Sequence, residues 1–113
     1  MDELTLDEYQ DGATRTRNKC ESIKETLGNC ALGLCGESGE VAEHVKKHIY
    51  HGHALDREKV AEELGDVLWY IAALADTVGV SLEYVARKNL AKLQERYPDG
   101  FSEERSKERE ASE

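Results

Sequence analysis

One proline, one tryptophan and one phenylalanine are all that this chain of 113 residues carries of those types, beside five tyrosines. With aromatic and β-branched residues this sparse, period-two strand patterns are hard to find, which argues against a sheet scaffold. Apolar residues spaced three and four apart recur instead. Cysteine is also short: Cys20, Cys30 and Cys35 are an odd set without a CxxC pair. Neither a disulfide framework nor a zinc site is indicated, and buried or partly buried free thiols fit a reducing, cytoplasmic compartment. No apolar run approaches the roughly 20 residues of a membrane span, and Met1-Asp2-Glu3 lacks the basic, then apolar start of a secretory signal. Basic residues are outnumbered, 15 Lys and Arg against 24 Asp and Glu, for a net charge of −9. That balance argues against a nucleic acid polymer as partner. It leaves room for a small phosphorylated substrate, because bound metal ions can bridge acids to phosphates.

What is present is helical. A first helix is expected from an N-cap at Thr5 or Asp7, through Tyr9 and Ala13, toward Cys20. The second covers about Lys24 to Tyr50, with Leu27, Leu34, Val41, Val45 and Ile49 as its apolar stripe and Gly52 as its stop. Asp56 is a good N-cap for the third, whose stripe is Val60, Leu64, Val67, Ile71, Leu74 and Val78 and whose stop is Gly79. Ser81 caps a fourth carrying Leu82, Val85, Ala86 and Leu93, which ends before Pro98. Residues 102–113 are Ser, Ala, Glu, Lys and Arg, a charged tail expected to be frayed or disordered after a domain of 1–101.

Two carboxylate patterns stand out, Glu37-Ser38-Gly39-Glu40 and Glu63-Leu64-Gly65-Asp66. Acids three apart share a helix face. At about 100° per residue, Glu37 and Glu63 each lie about −60° from their own helix's stripe, and Glu40 and Asp66 about −120°. Equal offsets of one hand fall on the same side of an antiparallel pair, and the short link from His51 to Leu55 makes the pair antiparallel. A hairpin centred near His53 sets Glu40 about level with Asp66. Four acids beside one core then require a cation, and their oxygen chemistry suits a hard one. Gly36, Gly39 and Gly65 lie inside helices, where each costs about 0.8–1 kcal/mol relative to Ala. They suit close helix approach around the acids.

Gly-Leu-Cys-Gly-Glu-Ser-Gly-Glu-Val (33–41) followed by Glu-Glu-Leu-Gly-Asp-Val-Leu-Trp-Tyr (62–70) resembles the MazG-like all-α nucleoside triphosphate pyrophosphohydrolases. The resemblance continues through Asn89, Lys92, Arg96-Tyr97-Pro98 and Gly100-Phe101, and covers about residues 9–101. It implies a helical bundle of about four helices per chain, assembled as a homodimer or homotetramer. It further implies cleavage of an NTP or dNTP between the α- and β-phosphates, with Mg²⁺, or Mn²⁺ in its place, held by Glu37, Glu40, Glu63 and Asp66. Such chemistry serves nucleotide pool sanitation, among other roles. Glu37 or Glu40 is the candidate to orient or deprotonate the attacking water.

Further substrate contacts are expected from Asn89, Lys92 and Arg96 on the fourth helix. Lys92 and Arg96 share a face that suits a triphosphate. His44 lies on the acid flank, and Tyr70 repeats its offset and is placed beside the pocket. Gln10, Thr14 and Thr16 fit the family pattern on the first helix, where they would face the base. Leu68 and Trp69 lie beyond one narrow stripe and, with Leu74, suit subunit contacts; Trp69 is alternatively a core residue. A His44 and His48 metal site can be drawn, but the chain has no E-x-x-H of the di-iron carboxylate bundles. Two rivals remain: a non-enzymatic helical interaction protein whose acids only solvate the bundle, and a di-metal redox bundle.

Overall fold

The computed structural model describes residues 2–18 and 21–112, so Cys20 lies outside the described residues. Five helices follow in order: α1 (Leu6–Thr14), α2 (Ile23–Tyr50), α3 (Arg57–Thr77), α4 (Leu82–Arg96) and α5 (Glu103–Ser112). The all-α expectation holds, with one helix more than expected. The chain divides into two compact units, Met1–Leu82 and Glu83–Glu113.

In the first unit the helix ends follow local chemistry. Thr5 and Glu8 form a reciprocal capping box, each backbone N–H donating to the other's side chain at 3.2 and 3.1 Å. The Ser22 hydroxyl accepts from Glu25 N at 3.1 Å, and the Asp56 carboxylate accepts from Lys59 N at 3.1 Å. Gly52 and Gly79 adopt φ of +73° and +81°, the left-handed conformation that closes α2 and α3. The α1 helix ends well short of Cys20 because Thr16 and Arg17 close tight turns on Ala13 and Thr14.

The α2 and α3 helices pack on each other as an antiparallel hairpin, and α1 packs on α3. The core is small. Ala72, Ala75 and Leu82 form its buried cluster, with Tyr9, Ala13, Ile71 and Val80 packed around it. This corrects the expected stripe on α3, where Leu64 and Val78 are 51% and 58% exposed while Glu63, Ala72, Ala73 and Ala75 are buried. Small side chains let α1 approach closely, so the inner face of α3 is marked by alanine rather than by the larger apolar residues. On α2 the stripe likewise runs out toward its C-terminal end, with Ile49 59% exposed.

Gln10 fastens this unit. Its buried carboxamide donates to the carbonyls of Ala72 (3.3 Å) and Val80 (3.1 Å) and accepts from Leu82 N (3.0 Å). Trp69 also serves α1: its indole N–H donates to Ala13 O at 3.1 Å and to Thr16 Oγ1 at 2.9 Å.

The second unit carries α5 where a frayed tail was expected. Ser102 accepts from Arg105 N at 3.3 Å, which caps a stretch rich in helix-forming residues. Arg87 pairs with Glu83 at 3.1 Å along α4, and Tyr97 packs against Phe101 with ring centroids 5.3 Å apart.

Candidate functional site

One close contact sets the register of the hairpin, and one shared cavity agrees with it. Gly33 of α2 lies directly beneath the ring of Tyr70 of α3, so close that an added Cβ would overlap the ring. Thr26 and Thr77 line one cavity at the open end of the hairpin. From Thr26 to Gly33 is two turns along α2, and from Thr77 to Tyr70 is two turns back along α3, as an antiparallel register requires. Four residues farther, Glu37 comes level with Asp66; three more bring Glu40 level with Glu63, to within about a turn. The expected pairing of Glu40 with Asp66 is therefore shifted by less than one turn.

Each triplet of Gly33, Glu37, Glu40 and of Tyr70, Asp66, Glu63 repeats at four and then three residues, which keeps it on one helix face. The four acids thus continue the helix–helix seam. Glu63 is buried, Glu37 half-buried, and Glu40 and Asp66 are exposed. One Glu63 oxygen, Oε2, is buried without a hydrogen-bond partner. Ion pairs elsewhere join Arg17 to Asp76, Lys46 and Lys47 to Glu43, and Arg87 to Glu83. Among the described residues none joins a basic side chain to the four acids. The backbone brings the four to one seam, but their side chains do not converge: among the described residues no three His, Cys, Asp or Glu are gathered closely enough to hold a metal ion.

An orphaned, buried carboxylate oxygen is costly unless something meets it. The all-oxygen donor set has the chemistry of a hard divalent ion and the orphaned Glu63 oxygen would meet one, but as placed the four side chains do not gather around a single point. Tyr9 of α1 belongs to the same neighbourhood, because burial, and then the negative charge of Asp66, push its phenol above the usual range. Nothing in the spacing within α1 ties Tyr9 to α3, so the sequence held no signal for it. Tyr70 is half-buried and meets Trp69 edge-on, with centroids 5.0 Å apart at 86°.

Other expectations are corrected. Gln10 has its amide engaged with three backbone groups, and its role is to tie α1 to α3 rather than to face a base. The Thr16 hydroxyl donates to Ala13 O at 2.8 Å and accepts from Trp69, so it too is committed to the scaffold. Thr14 donates to Asp11 O at 3.3 Å. Trp69, expected in the core or at a subunit contact, is half-buried against the end of α1. In the second unit Asn89 and Lys92 are exposed, and Arg96 is half-buried with its carbonyl accepting from Arg105 at 3.4 Å. The α4 stripe is open, with Val85 and Leu93 exposed. His48 of α2 meets His53 O through Nδ1 at 2.8 Å, which ties it to the loop that follows.

A cavity of about 370 Å³ opens between the α1–α2 connection and the end of α3, lined by Arg17, Glu21, Thr26, Asp76 and Thr77 among others. Arg17 is fixed there by Asp76 at 3.1 Å and Thr77 at 2.9 Å. Cys30 is buried nearby, and burial pushes its thiol up, with Arg17 opposing and Glu21 reinforcing the shift. Cys35 is exposed rather than buried. Among the described residues no single helix is long and apolar enough to cross a membrane.

Comparison with known proteins adds identity to this geometry. The gene 37 protein of Mycobacterium phage L5 is 39% identical over 106 residues, covering 86% of this chain and 92% of the phage protein. The uncharacterized protein YvdC of Bacillus subtilis (strain 168) is 36% identical over 73 residues, 57% of this chain and 69% of its own length. No solved structure matches the chain. The family model of the MazG nucleotide pyrophosphohydrolase domain matches residues 18–101.

Proposed function

The chain belongs to the MazG nucleotide pyrophosphohydrolase family, and on that premise we propose that it hydrolyses a nucleoside or deoxynucleoside triphosphate between the α- and β-phosphates. The products are the monophosphate and pyrophosphate. The observation that carries this reading is the acid seam, four carboxylates on two facing helices with a buried oxygen left unpartnered.

Glu37, Glu40, Glu63 and Asp66 would hold Mg²⁺, with Mn²⁺ as substitute. When bound, the metal supplies charge neutralisation for the triphosphate and a lowered pKa for bound water. Glu63, on the buried floor, anchors the set and fixes its depth. Glu37 or Glu40, nearer solvent, orients the attacking water and accepts its proton. Asp66 stands near the half-buried Tyr9 phenol, whose neutral form adds no competing charge at neutral pH. Tyr70, held over Gly33 and against Trp69, forms a wall at the end of the acid row. Lys92, Arg96 and Asn89 of α4 are assigned to the substrate, the two cations to its phosphates.

Self-association into a dimer or tetramer belongs to the same proposal. Leu32, Leu64 and Leu68 of the hairpin are exposed beyond what a lone small unit gains from burying them. Cytoplasmic nucleotide clearance, without a nucleic acid polymer or membrane partner, is the setting that fits the acidic charge.

Glu40→Gln combined with Asp66→Asn tests the reading. Turnover should be lost while helicity and oligomeric state persist. Retained turnover in a folded double variant would remove the acids from the chemistry.

A further inference from the structure

The contacts of α1 lead along the acid flank of α3. Arg17, just beyond the end of α1, meets Asp76 at 3.1 Å. Ala13, four residues earlier, takes the indole N–H of Trp69 on its carbonyl at 3.1 Å. Tyr9, four residues earlier again, shares the face of Ala13. On α3, Asp66 precedes Trp69 by three residues and shares its face in turn. Stepping back along α1 therefore steps back along α3, from Asp76 through Trp69 toward Asp66.

The ring of Tyr9 is half-buried and packs against the cluster of Ala72, Ala75 and Leu82, which holds it in place. Its backbone N–H donates to Thr5 O at 3.0 Å, but among the described residues its phenol has no hydrogen-bond partner. Burial, and then the negative charge of Asp66, keep that phenol in its neutral O–H form. The two groups feel each other without being hydrogen-bonded, so neither satisfies the other. A neutral donor suits this flank. Four acids repel a polyphosphate, and among the described residues no basic side chain is joined to them. A phenol O–H donates to a phosphoryl oxygen and adds no negative charge of its own.

We propose that Tyr9 is a substrate-binding residue, its phenol O–H donating a hydrogen bond to a non-bridging phosphoryl oxygen of the triphosphate on the α1 side of the acid seam. The inference rests on the nucleotide reading proposed above and adds a contact from α1. That helix was expected to reach the substrate through Gln10, Thr14 and Thr16, whose side chains are all engaged within the fold. Tyr9 takes their place, with a ring fixed by packing and a polar atom still to be met.

Inorganic triphosphate with Mg²⁺ is the probe, because it carries the phosphates without base or sugar. By calorimetry on the full-length chain, Tyr9→Phe should bind it about tenfold more weakly than the wild type, the loss of one hydrogen bond to a charged group. With the nucleotide that turns over fastest, KM should rise by a similar factor and kcat stay within about threefold, as for a contact made equally in ground and transition states. Tyr9→Phe should melt at the wild-type temperature, since the lost hydroxyl has no partner in the fold to miss. In the wild type itself, the ¹³Cζ resonance of Tyr9 should move on adding triphosphate, and that of Tyr50 should not. Equal triphosphate affinity in Tyr9→Phe, with a stationary Tyr9 resonance, would overturn the assignment and leave the nucleotide reading standing. Weaker nucleotide binding with unchanged triphosphate binding would overturn the phosphoryl contact. A wild type that neither binds triphosphate nor turns over any nucleotide would overturn the nucleotide reading and Tyr9 together.

Discussion

Glu63→Leu should make the metal-free protein more stable. Glu63 is 9% exposed, and its Oε2 has no partner. A buried polar atom left unsatisfied costs about 1–3 kcal/mol, and replacing a buried charge by an apolar side chain of similar volume is neutral or stabilising by about 1–4 kcal/mol. About 2 kcal/mol is therefore expected, which for a small domain raises Tm by about 8–16 °C. Metal should reverse the order of gains. At a hundred times its Kd, a divalent ion stabilises the wild type by about 2.7 kcal/mol, while the leucine variant, lacking the buried carboxylate, gains little. The assay is thermal unfolding followed by circular dichroism in EDTA and in saturating Mg²⁺ or Mn²⁺, at matched protein concentration. If Glu63→Leu melts below the wild type in EDTA, and the wild type ignores the metals, the orphaned oxygen is not a ligand held in reserve.

Gln10→Ala removes three hydrogen bonds, to Ala72, Val80 and Leu82, of which the one to Val80 is only partly buried, and urea unfolding should show a loss of about 3 kcal/mol, at about 1 kcal/mol for each; a loss below about 1 kcal/mol would show that water takes over these contacts. Gly33→Ala gains about 1 kcal/mol of helix propensity but forces a Cβ into the Tyr70 ring, at a cost of about 1–3 kcal/mol. It should therefore be destabilising in the wild type and stabilising in a Tyr70→Ala background; the same sign in both would refute the close contact. Tyr9 has its pKa raised by burial and by Asp66, so the folded state holds this proton more tightly than the unfolded one. The resulting stabilisation is complete below the unfolded value near 10 and is lost as pH rises through the higher folded value. Tyrosinate absorbance should show one late-titrating phenol, absent in Tyr9→Phe and titrating earlier in Asp66→Asn.

Helix ends are the most legible part of this fold because their chemistry is local. Thr5, Asp56, Gly52 and Gly79 each act within four residues of where they stand. The backbone placement of the acid pairs follows from spacing of three, which fixes a shared face, and from a short link, which fixes the antiparallel partner; the expected gathering of the four side chains is not seen among the described residues. The rotation of α3 was not legible, since periodicity weights Leu64 above Ala72 and Ala75, whereas the crossing of α1 selects the small residues. Gln10 and Thr16 show the same limit. Their partners on α3 lie more than 50 residues away, and nothing in α1 alone separates a scaffold amide from a substrate contact. The helix at 103–112 was hidden by charge: composition points to a solvated tail, but Ser102 and the run of Glu, Arg and Lys after it suffice to close helical turns.

The most direct measurement is ³¹P NMR of the products formed from a panel of NTPs and dNTPs with Mg²⁺, repeated with Mn²⁺. The expected result is nucleoside monophosphate and pyrophosphate in equal amounts from at least one substrate, abolished by Glu40→Gln with Asp66→Asn. Nucleoside diphosphate with phosphate, or no turnover across the panel with either metal, would contradict the assignment of α–β cleavage to the acid seam.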